Sequence, residues 1–234
     1  MKGARNRRVP YEVVRSRRST MDIIIERDGR VLVRAPHGTD DGAIDAIVAS
    51  KDPWIFRSLA EWRDLNATRV VREYKNGEGF LYLGRAYRLL VVGDQTEPVL
   101  LRNGRFTLRR DLVDCGEMAA AKAAFRDYYV ARGHDRIGRR VGYYAPKIGV
   151  TPTAVDVREL GNRWASCSPA GRLAFHWKCM MAPQTIGDYI VVHELSHFHH
   201  RDHTQAFWNE VDKVMPDYRE RKEWLRRHGA GLDV

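Results

Sequence analysis

The stretch Val191–Trp208, "VVHELSHFHHRDHTQAFW", holds five of the nine histidines of the chain and a single glutamate. His193 and His197 stand four apart where apolar residues recur at helical intervals, so their side chains project from one face, one turn apart. That spacing constrains the fold. The segment must be a helix laid against a core, with its histidine face turned to a cleft where both imidazoles reach one metal ion. Glu194 lies one step on, about 100° around the helix. There it stays out of the inner ligand shell but close to a water in the cleft, which makes it the candidate general acid/base.

A catalytic zinc usually takes three protein ligands and leaves a fourth position for water. His199 lies about 240° around the helix from His193 and faces away. His200 is in angular register with His193 but about 10 Å along the axis, too far for all three to meet at bonds of about 2 Å. His203 is reached if the chain turns in the polar "HRDH", and it is the expected third ligand of a Zn2+ site with His193 and His197. The same His spacing occurs in metzincin proteases, where a glycine makes the bend; His200 stands at that position here. A structural zinc would call for a four-coordinate, Cys-rich set, and neither Cys167 nor Cys179 belongs to a pair spaced for one. Asp188 and Glu210 are both candidates to accept the other ring N–H of a ligand histidine. Phe207 and Trp208 are expected to pack the segment after His203.

At 234 residues and 44% hydrophobic, the chain can bury a core without disulfides. Its three cysteines, an odd number in no framework spacing, suit a reducing compartment. Apolar runs such as Ile23–Ile25 and Ile190–Val192 are far too short to cross a bilayer. The expectation is a soluble, cytoplasmic protein with no membrane partner, and no motif specifies an oligomeric state. A formal net charge of +10 attracts nucleic acid. The basic residues are dispersed, without an aromatic-interleaved stripe, and imply only weak, non-specific binding.

Tyr11–Pro36 reads as a β meander with an Asp-Gly turn inside "RDGR". Residues 39–62 carry apolar positions at helical spacing, with Thr39 or Asp40 as N-cap and Pro53 as a joint between one or two helices. "FLYLGRAYRLLVVGD" and "PVLLRNGRFTLRRD" read as strands paired around Gly84 and Asn103-Gly104. An Ala-rich texture from Asp114 predicts a long helix with a break at Gly133. "AVDVREL" and "GRLAFHW" predict strands around the loop "GNRWASCSPA", and Pro183 begins the histidine helix. The fold class is α+β: a β-rich half with a helical insert over residues 1–113, and a catalytic half over 114–234 with the histidine helix beside a small sheet.

"NRWASCSPAGRLAFHWKCMMAPQTIGDYIVVHELSHFHHRDHTQAFW" resembles the YgjP-like metallopeptidase family, with its Arg-Trp-Gly-Ser-Cys-Ser stretch, Ala-Pro and Tyr-Val-x-x-His-Glu-Leu helix. The likeness spans roughly residues 75–228 and is strongest from Arg163 to Trp208. Such proteins are similar to the SprT-like and Wss1-like zinc peptidases, some of which digest proteins crosslinked to DNA. The resemblance implies a zincin-like catalytic half, zinc on His193, His197 and His203, Glu194 as acid/base, and a peptide or protein substrate. Ala165 stands where the family usually has Gly, and His176 where Asn is more usual. His176, on a strand leading into the helix, is a candidate to contact an extended substrate, and Arg163 and Ser166 to orient it or stabilise an oxyanion. Two other readings remain: a basic nucleic-acid-associated module with a structural zinc, and a metal-dependent hydrolase of a non-peptide amide.

Overall fold

A computed structural model of the protein describes residues 9–26, 29–66, 72–114, 118–161 and 163–234. Two compact units divide between Arg69 and Val70. In the first unit, β1 (Tyr11–Ser16), β2 (Asp22–Ile25) and β3 (Val31–Pro36) form a sheet of order β1-β3-β2. Strand β3 pairs parallel with β1 and antiparallel with β2, so the expected meander is corrected: the third strand lies in the middle. Its alternating Val31, Val33 and Ala35 are almost fully buried, and that apolar face suits the centre of the sheet better than the polar-punctuated β1. The "RDGR" turn residues Arg27 and Asp28 lie outside the described residues, as do the Arg-rich first eight and Cys115.

Helix α1 (Asp41–Asn66) begins where the Asp40 carboxylate accepts the Ala43 N–H at 3.2 Å, an N-cap. It runs unbroken through Pro53, so there is one helix where the sequence allowed two. A proline removes one i→i−4 bond, and the burial of Val48 and Ile55 on either side of it holds the turns in line. These side chains and Ile44 close on β3 to make the core of this unit.

The second unit opens with β4 (Gly79–Tyr82), β5 (Arg85–Val92), β6 (Val99–Arg102) and β7 (Arg105–Arg109), in sheet order β4-β5-β7-β6. Both two-residue hairpins place their central residues in the left-handed region: Leu83 and Gly84 at φ 52° and 78°, Asn103 and Gly104 at 49° and 70°. This is the turn hand that matches strand twist. The Leu83 and Gly84 N–H groups donate to the carbonyls of Met180 and Met181 at 2.8 and 3.0 Å. A Cβ on Gly84 would stand 2.8 Å from the Pro183 ring, so only glycine lets this turn dock at the start of the histidine helix.

After the single turn α2 (Asp111–Asp114), α3 (Met118–Ile148) crosses the sheet, burying Phe125 and Tyr129 completely. Phe125 stacks on Phe80 at 4.4 Å between ring centroids, and Phe106 meets both edge-on. Each such ring contributes roughly 1.5–3 kcal/mol by leaving water. The change of texture near residue 113 therefore falls inside one unit, because the sheet before it and the helix after it share a core. The helix continues through Gly133, where a break was expected. That glycine permits close packing, since a Cβ there would lie 2.8 Å from Val157 Cγ1.

Val157 belongs to β8 (Ala154–Arg158), which with β9 (Ala165–Cys167) and β10 (Arg172–His176) forms a sheet of order β8-β10-β9. The polar loop read between two strands thus contains one of the two edge strands of this sheet. A 3₁₀ turn at Trp177–Met180 leads to α4 (Gln184–Ser196), and α5 (Gln205–Val214) and α6 (Tyr218–His228) complete the mixed α+β fold. Pro183 is the residue before α4, as its sequence position suggested.

Candidate metal centre

Helix α4 buries Ile186, Tyr189, Ile190, Val191, Val192 and Leu195, so apolar contact surrounds most of its circumference. Its rotation is fixed by a buried acid: Asp188 takes a bidentate pair from Arg140 of α3, at 2.6 and 2.8 Å, and the Tyr144 hydroxyl at 3.3 Å. With that face locked, His193 and Glu194 near the other end have set directions. The helix ends earlier than the sequence suggested, with His197 already the C-cap.

The following turns sort the remaining histidines. His199 Nε2 lies 2.9 Å from the Ile148 carbonyl, and so donates toward the end of α3. His200 offers its carbonyl to His197 Nδ1 at 3.0 Å. A carbonyl only accepts, so the proton sits on Nδ1 and the Nε2 lone pair of His197 is free for a metal. The chain then reverses, and His203 returns to the first two rings.

The ring centroids of His193, His197 and His203 are 5.0, 4.9 and 4.8 Å apart, and one ligand atom from each lies within 4.8 Å of the others. Phe207, fully buried at the start of α5, backs all three at 4.9, 4.6 and 4.8 Å. Trp208 lies nearly parallel to His203 and stacks on Tyr218. His193 Nε2 and His203 Nε2 are 3.0 Å apart, close to the separation of about 3.3 Å that tetrahedral zinc with bonds near 2.05 Å requires. Burial, with His197, His203 and Lys222 nearby, pushes the His193 imidazole down to about 3, and burial likewise lowers His203. Neutral imidazoles are the form that binds a metal, so the donor set fits one.

Glu194 is 6% exposed, and burial pushes its carboxyl up to about 8 while the charge of Arg163 opposes the shift. Arg163, two residues ahead of β9 (Ala165–Cys167), is thus close enough for its charge to act on Glu194. Cys167 is a free, half-buried thiol raised by burial and by Glu194, a neighbour that no sequence spacing announced. Ser166 and Cys167 are neighbours on β9, so their side chains leave opposite faces of the strand.

His176 is corrected outright. A candidate to contact an extended substrate would need an accessible strand edge, but β10 is the central strand and the edges are β8 and β9. The His176 side chain is fully buried, with Nε2 2.7 Å from Glu159 Oε1 and Nδ1 accepting the Lys178 N–H at 3.1 Å. Together with Trp177 Nε1, which donates to Glu159 Oε2 at 2.8 Å, it braces the loop before β9. Neither acid proposed behind the ligands reaches one: Asp188 belongs to Arg140, and Glu210 to Lys213 at 2.7 Å.

The sequence profile of the YgjP-like, metallopeptidase domain matches residues 19–228. No curated protein sequence matches the chain. Among solved structures, the metallopeptidase zymogen of Pyrococcus abyssi abylysin is similar at 23% identity and a TM-score of 0.36, covering 38% of this chain and 90% of that one. With the profile spanning nearly its whole length, the chain belongs to the YgjP-like metallopeptidase family.

Proposed function

We propose that the protein is a zinc-dependent peptidase in which His193, His197 and His203 hold the ion and Glu194 is the general acid/base. The observation that carries this reading is the return of His203 onto the His193 and His197 rings, over the shared Phe207 floor, next to a buried carboxyl. Three imidazoles suit zinc. The ion, when bound, supplies Lewis acidity, making a water nucleophilic near neutral pH and polarising the substrate carbonyl.

The chain's own residues do the rest. Glu194 takes the proton of the attacking water and delivers it to the leaving amine. Its burial keeps it basic enough for the first step, and Arg163 keeps it ionisable. Strand β9 leaves one edge unpaired within its own sheet, and an extended peptide can add there through main-chain hydrogen bonds. The choice of peptides over other amides rests on family membership. Glu194 also weighs against a structural zinc in a nucleic-acid-associated module, which has no use for a buried carboxyl beside its ligands.

Glu194→Gln separates these roles. The variant is expected to fold and keep zinc while turnover of unfolded protein substrates falls about 10²–10⁴-fold, the usual contribution of a positioned base. Unchanged turnover would remove Glu194 from the chemistry.

A further inference from the structure

The cleft beside the histidines carries more positive charge than metal binding has use for. On α6, the Lys222 ammonium sits over the Trp208 ring at 4.2 Å from its centroid. Trp208 is in turn held between His203 and Tyr218, so this cation is fixed within about 10 Å of the His203 ring, some three residues of extended peptide. Lys222 pairs with no acidic side chain among the described residues, whereas the other cations of α6 all do: Arg219 with Asp212, Arg221 with Asp217, and Arg226 and Arg227 with Glu223. Asp202 is the one nearby acid acting on His203 in the opposite sense.

A cation beside a cationic metal centre weakens metal binding, since like charges repel, and Lys222 stands within about 10 Å of the His203 ring. Its placement makes sense for an anionic group that arrives with the substrate. We propose that Lys222 selects peptides carrying Asp or Glu close to the scissile bond. The aromatic shelf restrains the ammonium without neutralising it, because a cation–π contact leaves the outward N–H groups free. A carboxylate reaching them gains a charge-assisted hydrogen bond. This inference rests on the peptidase reading above.

The test uses the zinc-loaded Glu194→Gln protein and three fluorescent peptides of one frame, carrying Asp, Asn or Lys at the same central positions. Anisotropy titrations are expected to show the Asp peptide bound at least about tenfold tighter than the Lys peptide. Adding Lys222→Gln should erase most of that ratio and leave the Asn peptide unchanged. Adding Arg139→Gln, an equal loss of charge on α3, should leave the ratio intact. An equal effect of the two substitutions, or no preference at all, would overturn the inference. The zinc-loaded wild type is then incubated with the same peptides and the products are read by mass spectrometry. Cleavage of all three at equal rates contradicts the inference and leaves the peptidase reading standing. A Lys222-dependent preference with no cleavage of any peptide upholds the anion site and contradicts the peptidase reading.

Discussion

Among the five clustered histidines, the backbone decides which becomes a ligand. His199 spends its ring N–H on the Ile148 carbonyl, tying the end of α4 to the end of α3, while His200 contributes a main-chain carbonyl. His199→Ala should therefore lower stability by about 1 kcal/mol, the worth of one hydrogen bond whose acceptor is left behind. Its zinc content should match wild type; a urea titration paired with elemental analysis checks both, and loss of zinc would show that His199 matters to the centre. The grouping of His193 with His197 was legible because i and i+4 share a helix face, and the return of His203 toward them because helical geometry removes its two competitors. Lys222 and Cys167 were not, since they arrive from α6 and β9 and no local spacing links them to the motif. His176 misled for the same reason. A histidine on a strand gives no sign of whether its strand is at the edge or in the centre.

Helix α4 is positioned by its neighbours more than by its own sequence. Asp188 is 6% exposed and holds Arg140 by two bonds, so Asp188→Ala would strand a guanidinium that the fold partly buries. Breaking such a pair from one side should cost about 3 kcal/mol, read as a shifted urea midpoint with unchanged slope. Zinc affinity should fall with it, because His193 and Glu194 ride on the same helix. A loss below about 0.5 kcal/mol would mean that apolar packing alone orients α4. Elements with a strong local signal were readable: the Asn103-Gly104 hairpin, the long Ala-rich helix, and Pro183 ahead of α4. Strand order was not, because the insertion of β3 between β1 and β2 follows from which face is buried. Nor was β9, three residues long in a polar loop, whose pairing partner Leu173–Phe175 only the fold supplies.

Across the molecule, a net charge of +10 means that acid conditions add repulsion to a chain already positive. Asp233 is one anchor that acid releases. Burial raises its carboxyl, but Lys178 at 2.9 Å and Lys122 at 3.4 Å outweigh that and hold it at about 2, below its ordinary 3.8. A lowered folded-state pKa contributes stability that is complete above pH 3.8 and lost as pH falls through about 2. The contribution is roughly 2 kcal/mol, so Asp233→Asn should flatten the acid limb of stability against pH in that window. An identical limb in variant and wild type would place the acid sensitivity elsewhere. Among the described residues no helix is long and apolar enough to cross a membrane. The cluster of His193, His197 and His203 and the core that supports it lie within Val70–Val234.

The central claim is that the turn after α4 brings His203, and not His200, to the metal. Elemental analysis of purified wild type, His203→Ala and His200→Ala tests it most directly. The expected result is about one zinc per chain in wild type and in His200→Ala, whose contribution is a backbone carbonyl that alanine retains, and little or none in His203→Ala. Zinc lost from His200→Ala but kept by His203→Ala would contradict the account.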